Sequence, residues 1–319
     1  MEGLKVKHLL TVVLVVASMT ACTTDAPSLQ SSSGGSPYEV LVTGADSTAV
    51  NVVAQGMRSL LMEGLPQPEP AFDVHAIVGK GLGQLTRYAR NIIVVSLTAD
   101  SLLKPSITYE RDAYARPQLI LYVKAASVQQ LNDSSAGYLH TLAYQFGRHE
   151  LLCGVAQLKK QHNEQAALMA DSAFGLRLWV PSDLDKMKQG RDFLWWASET
   201  PEVVQSICVY RYKADKLAAG IALRKRDSMM RKNIPGEKPS MYMQTNKRSV
   251  KGRATKDLLE LRGLWEMAGD AMGGPFVSHS LVRGDSIITV EAFVYAPSKR
   301  KRQLMRRLEA SLYSVKMDE

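Results

Sequence analysis

The run Met272-Gly273-Gly274-Pro275-Phe276 lies between two strand patterns, with Arg262, Trp265 and Asp270 just before it. Paired glycines let a ligand approach bare backbone amides, an indole gives a stacking floor, and a guanidinium meets an anion. With Trp195 added, these residues form a candidate ligand or partner surface: Trp195, Arg262, Trp265, Met272, Gly273, Gly274 and Phe276. The competing reading is structural. Gly-Gly-Pro makes a turn or bulge and then fixes φ for the outgoing strand. We favour it, because glycines at strand ends mostly serve turns.

Other constellations stop short of a reaction. His149-Glu150 opens like the helix of a zinc protease, but the position one turn on is Cys153. His140 and His162 lie nine before and thirteen after His149. That spacing suits no compact ligand set, so no metal is expected, and an amphipathic helix with His and Glu on its surface is the default. Gly79-Lys80-Gly81-Leu82-Gly83 follows a strand pattern, where a phosphate loop would stand. Gln84 replaces the third glycine of the dinucleotide form and no Gly-Lys-Ser/Thr occurs, so a flexible turn is expected. No serine sits in a nucleophile elbow, and no cofactor is expected. In Trp195-Trp196 the two rings should point to opposite faces, because strand side chains alternate.

The elements that would position such residues begin with an address. Lys5 and Lys7 precede an apolar run of nine residues, Leu9 to Ala17, and Met19-Thr20-Ala21-Cys22 follows. A transmembrane helix needs about 20 apolar residues. The layout is that of a secretory signal and resembles a bacterial lipoprotein signal, in which Cys22 is acylated and becomes the mature N-terminus. Residues 1–21 are then the signal peptide. Residues 22–37, rich in Ser, Gly, Thr and Pro, are a flexible tether. Of the other cysteines, Cys153 falls in a helical pattern and Cys208 in a strand pattern. Export would permit their pairing, but buried free thiols are the expectation.

Charge is uneven. Residues 1–174 carry 13 Lys and Arg against 14 Asp and Glu, and residues 175–319 carry 27 against 17, net +10. A basic half suits an anionic membrane face, lipopolysaccharide or an acidic glycan, a solvated basic surface that aids solubility is the competing reading, and nucleic acid is not an expected partner of an exported chain. The last helical pattern, Ser298 to Val315, concentrates Lys299, Arg300, Lys301, Arg302, Arg306 and Arg307 beside an apolar stripe. These six are a candidate membrane-facing basic face, and a solvated surface is the alternative.

Hydrophobic periodicity divides the chain into an N-terminal lobe, 38–174, and a basic C-terminal lobe, 175–319. In the first, strands at 38–43, 72–78 and 91–97 alternate with a helix over 46–62 and a short helix over 82–88. A hairpin at 107–124 and a long helical stretch over 127–173, broken near Asp133 and stopped by Gly175, follow. In the second, paired strands at 193–197 and 203–212, a helix over 215–232 and a strand at 242–245 lead to a meander over 258–295 and the final helix. This is an α+β fold: two lobes of mostly antiparallel sheet with helices packed on one face. Both lobes close on a helix, which raises an internal duplication.

Several segments together resemble an envelope lipoprotein family of Gram-negative bacteria known as domain of unknown function 4837. They are residues 65–70 with Phe72; Arg90-Asn91-Ile92-Ile93; Asp192-Phe193-Leu194-Trp195; Arg226-Asp227-Ser228; Asn233-Ile234-Pro235-Gly236; Met241-Tyr242-Met243; Arg262-Gly263-Leu264-Trp265-Glu266; Met272 to Phe276; and Leu308-Glu309-Ala310. The resemblance implies a lipid-anchored protein of the cell envelope, at the outer membrane, with an α+β fold and no assigned activity. The expected role is non-enzymatic binding or scaffolding. Its partners would be the membrane through acyl chains and an envelope polyanion or protein. The alternative is an envelope hydrolase with a site between the lobes, near Trp195, Arg262 and Met272 to Phe276.

Overall fold

A computed structural model describes residues 31–100, 104–200 and 202–317. The signal peptide and Cys22 lie outside the described residues. The end of the expected tether does not hang free. Ser31–Ser32 (β1) pairs in parallel with Ala115–Arg116, and Gly34 exchanges backbone hydrogen bonds with Tyr88 and Arg90. Serine and glycine lack apolar side chains, but their amides bond as well as any.

The first sheet is built from short apolar runs. Glu39–Gly44 (β2) leads into Ser47–Ser59 (α1), whose N-cap Asp46 accepts the Ala49 N–H at 2.8 Å. Asp73–Val78 (β3), Asn91–Leu97 (β4), Ser106–Arg111 (β5), Ala115–Arg116 (β6) and Leu119–Ala125 (β7) follow. The strand order is β3-β2-β4-β7-β5. The expected antiparallel character holds only at the β5 edge, since β3, β2, β4 and β7 run parallel. The crossover through α1 makes this possible, because parallel neighbours need a long connection. Val128–Asp133 (α2) and Ser135–Lys160 (α3) join α1 on one face, over Val40, Val42, Ile93, Val95, Leu121 and Val123.

Glu164–Phe174 (α4) is separated from α3 by Asn163, whose side chain caps it by accepting the Ala166 N–H. Its Ala166, Ala170 and Phe174 enter the second core, not the first. Gly175 ends it at φ 59°, the left-handed conformation glycine adopts without strain.

Leu176–Arg177 (β8), Lys186–Gly190 (β9), Phe193–Glu199 (β10), Val204–Lys213 (β11), Ala219–Asn233 (α5), Tyr242–Ala254 (β12), Leu258–Ala268 (β13), Gly273–Arg283 (β14), Ser286–Tyr295 (β15), Arg302–Leu312 (α6) and Lys316–Met317 (β16) complete the chain. Seven of these strands form one antiparallel sheet, β12-β13-β14-β15-β11-β10-β9. Its helices cover both faces. α4 and α6 pack on Trp196, Ile207, Val209, Val277, Ile288 and Val290, while α5 packs on Phe193, Tyr210, Met243, Trp265 and Phe276. One-face packing therefore describes the first lobe only. The central strands β11 and β15 are buried on both sides, which demands two covers. A seven-stranded antiparallel sheet and a largely parallel five-stranded one are no duplication.

The lobes are joined through the 60–71 loop. Met62 of that loop enters the second core. Glu69 is buried and accepts the backbone N–H groups of Lys301 and Arg302, at 2.8 and 3.1 Å, at the start of α6. Arg302 returns the contact, donating to the Pro70 carbonyl and pairing with Asp73. No helix among the described residues is long and apolar enough to cross a membrane.

Candidate functional site

The structure disperses the residues that the sequence suggested as a ligand surface. Trp265 is buried in the α5-side core, and its indole N–H donates to the Val294 carbonyl at 3.3 Å. Arg262, three residues earlier on β13, points to the opposite face and belongs to α6. Phe276 is fully buried beneath Arg226, whose guanidinium lies 4.2 Å from the ring centroid. Met272 packs on the same core. Gly273 and Gly274 open β14 in a close approach: a Cβ on Gly274 would stand 1.9 Å from the Val294 carbonyl oxygen. The run is strand chemistry. Trp195 and Trp196 do face opposite sides, each into a core.

Arg262 is not free for an anion. It pairs with Glu309 of α6 and with Glu260 at 3.3 Å, while Tyr313 donates its hydroxyl to Glu260 at 3.2 Å. The His279 ring, 3.6 Å away, and then Arg262 hold the Glu260 carboxyl down to about 2. The group titrates lower folded than unfolded, where a glutamate sits at about 4.3. Its stabilisation is therefore complete above that value and is lost as pH falls through about 2. Urea midpoints should show Glu260→Gln less stable than the parent at neutral pH, with the gap narrowing steadily below about pH 4. A gap independent of pH would refute the assignment.

The basic helix is likewise committed inward. Lys301 and Arg302 are buried at the lobe junction, so they cannot face a membrane. Lys299 pairs with Glu202 at 2.8 Å, and Arg307 pairs with Asp183 and bonds Gln205. Arg306 lies over the Tyr38 ring at 5.0 Å. Only Arg300 is exposed with no such contact among the described residues. The cations stand where α6 crosses acidic groups of both lobes, and that determines their direction.

What converges instead is a cleft of about 650 Å³ between the lobes. Its walls are α3, α6, the turn at Ser36–Tyr38 and the loop at Pro181–Ser182. At its base Arg90 forms a forked ion pair with Glu150 of α3, with contacts of 2.7 and 2.8 Å. Asn91 adds a 2.7 Å hydrogen bond to the same carboxylate. Tyr38 holds φ 63°, a strained conformation for a side chain of its size, and burial pushes its phenol up. On the α6 wall, Arg306 has a long 3.4 Å bond to Glu309, and its Nε is buried without a hydrogen-bond partner among the described residues.

The neighbouring titratable groups are not poised for chemistry. His149 and Glu150 are buried, not surface residues as expected, because α3 packs between the sheet and α6. Cys153 contacts His149 Nε2 at 3.7 Å, but burial raises its thiol to about 11, so it stays protonated at neutral pH. Burial also lowers His149. Cys208 lies buried in the second sheet, and both thiols are free. No group of three or more His, Cys, Asp or Glu that could hold a metal occurs among the described residues. The glycine-rich loop after β3 is exposed, and only the short 3₁₀ turn Thr86–Tyr88 follows it, so no helix N-terminus points at a phosphate.

Sequence reasoning missed Tyr38, Arg90, Glu150 and Arg306 as a set. The one local signal was Arg90-Asn91 directly ahead of the apolar run of β4, since a charged residue at a buried strand entry needs a partner.

The two-lobed α+β architecture agrees with the sequence comparisons. Residues 162–314 match the domain of unknown function DUF4837, and residues 33–154 match a second domain of unknown function, DUF8532. The second lobe thus matches DUF4837 and the first lobe DUF8532, and neither match spans half of the chain. No curated protein matches it. Among solved structures, cyanobacterial PsbP (CyanoP) from Synechocystis sp. PCC 6803 aligns at 10% identity and TM-score 0.32, over 45% of this chain and 87% of that one. A protein from Bacteroides thetaiotaomicron VPI-5482 aligns at 12% identity and TM-score 0.26, over 46% of each chain. At these scores neither likeness bears on function.

Proposed function

We propose that the protein is a lipid-anchored binding or scaffolding component of a Gram-negative cell envelope, with the inter-lobe cleft as its binding site. The lipoprotein-like signal at Cys22 supports the anchor and the address. The cleft carries the binding reading. Glu150 and Asp73 on its walls are each committed to an arginine, so neither is a free base, while Arg306 keeps a buried Nε without a partner. A guanidinium in a half-closed cleft fits an acidic group on a ligand or partner.

A photocrosslinking residue at exposed Gln161, on the cleft wall, tests this in cells. A defined adduct is expected with the parent chain, and it should be lost in Gln157→Trp, which fills the cleft. Incorporation of labelled palmitate, with membrane retention, should be lost in Cys22→Ala. Turnover of an envelope glycan or peptide by the purified parent, absent from Gln157→Trp, would replace binding with hydrolysis. No adduct at all would remove the cleft from the proposal.

A further inference from the structure

The positive excess is concentrated in one segment. Residues 213–256 hold 13 Lys and Arg against 3 Asp and Glu, net +10, which equals the whole excess of the C-terminal half. These residues include α5 and the edge strand β12. α5 buries Ala222, Arg226 and Met230. Its other side presents Arg224 and Lys225 and, two turns on along the same face, Arg231 and Lys232, all exposed. The helix is fixed along β12, because Asp227 accepts the Thr245 N–H and hydroxyl at 2.9 and 2.6 Å, and Arg231 stacks on Tyr242 at 4.1 Å. On β12, Lys247 and Arg248 follow Asn246 where the ladder shifts register, and Arg253 lies nearer the hairpin tip; all three are exposed. These cations are exposed, and none has an ion-pair partner among the described residues.

The fold does not require this concentration. Charge on an edge strand blocks stray pairing, which accounts for β12, but α5 is no edge. The chemistry of the surface also narrows its partner. No large hydrophobic side chain is exposed between 213 and 257. Protein partners are gripped through buried aromatic anchors, and single strands of nucleic acid through aromatic platforms. The one ring in this field, Tyr242, is covered by Arg231. A broad field of point charges without anchors complements a diffuse anionic surface. We infer that α5 and β12 dock the protein onto the phosphate headgroups of an anionic bilayer. Such attraction is worth about fivefold in partitioning per basic residue near the surface, and it decays within a Debye length of about 10 Å at 0.1 M salt.

The test is co-sedimentation of the full chain carrying Cys22→Ala, so that acyl chains contribute nothing. Vesicles of phosphatidylethanolamine and phosphatidylglycerol are compared with vesicles of phosphatidylcholine. The leader, with Lys5 and Lys7 beside its apolar run, is the same in every variant, so its contribution cancels when the variants are compared. Preference for the anionic vesicles is expected, lost at about 0.5 M salt. It should fall by about tenfold or more in Arg224→Gln/Lys225→Gln/Lys247→Gln/Arg248→Gln. Neutralising Lys104, Lys124, Lys159 and Lys160 to Gln, an equal change in net charge elsewhere, should leave it within about twofold. Equal preference for both vesicles, or equal loss in the two variants, overturns the proposal. So does binding of heparin or duplex DNA through these cations without vesicle binding, which would assign the face to a soluble polyanion.

Discussion

Replacing Glu291 with alanine is expected to destabilise the protein by about 3–5 kcal/mol. The carboxylate is fully buried in the middle of the large sheet and accepts a forked pair of bonds from Arg226, at 2.9 and 2.8 Å. Tyr210 donates its hydroxyl to it at 3.1 Å. Burial pushes the Glu291 carboxyl above its ordinary range, and Arg226 opposes this by favouring the charged form. Removing the carboxylate leaves the buried guanidinium over the Phe276 ring with only the longer 3.4 Å contact to Asp227 as counter-charge. The cost is that of the stranded charge, not the worth of the pair. The triple variant Arg226→Met/Glu291→Leu/Tyr210→Phe removes every stranded group and should therefore lie within about 2 kcal/mol of the parent. Guanidinium unfolding of the parent, single and triple variants decides the matter. A triple variant as unstable as the single one would mean that the network itself holds the sheet.

The second large effect is expected at Gly274. Alanine there should cost about 3 kcal/mol or more, or prevent folding, because the added methyl meets a backbone atom rather than a movable side chain. Its carbon would lie 1.9 Å from the Val294 carbonyl oxygen and 3.2 Å from Trp265 Nε1. That carbonyl already accepts the indole N–H, so it cannot retreat without breaking the bond. Soluble yield, near-ultraviolet dichroism and the thermal midpoint report the loss. A Gly274→Ala protein that folds like the parent but loses a ligand would restore the reading of Gly273-Gly274 as a binding backbone.

The apolar strands were legible because each carries its own signal. Asn91–Leu97, the β10–β11 pair and the β13–β15 meander stand where periodicity put them. The two edges of the large sheet were not. Lys186–Gly190 is exposed almost throughout, and Tyr242–Ala254 runs well beyond Thr245 through a basic, mostly exposed stretch. An edge strand held by backbone bonds alone shows no alternation to read. Parallel pairing in the first sheet escaped for another reason, since strand direction depends on where a crossover lands. The cleft was illegible because its members lie on separate elements: Arg90 meets Glu150 across sixty residues. The basic run of α6 was visible as charge, but its direction was set by Glu69, Asp73 and Asp183, which no local pattern links to it.

The cap that Glu69 places on α6 also sets an order of events. A ribosome or a translocation channel delivers α6 only after every strand of the two large sheets has emerged. Until then the carboxylate of Glu69 lacks the two amides it serves, the cleft lacks one wall, and the second core lacks Met305, Leu308 and Leu312. The lobes can form early, but they latch last. A chain cut short before Lys301 would present an open seam and a buried acid without a partner, the kind of exposed surface by which quality-control proteases recognise unfinished work.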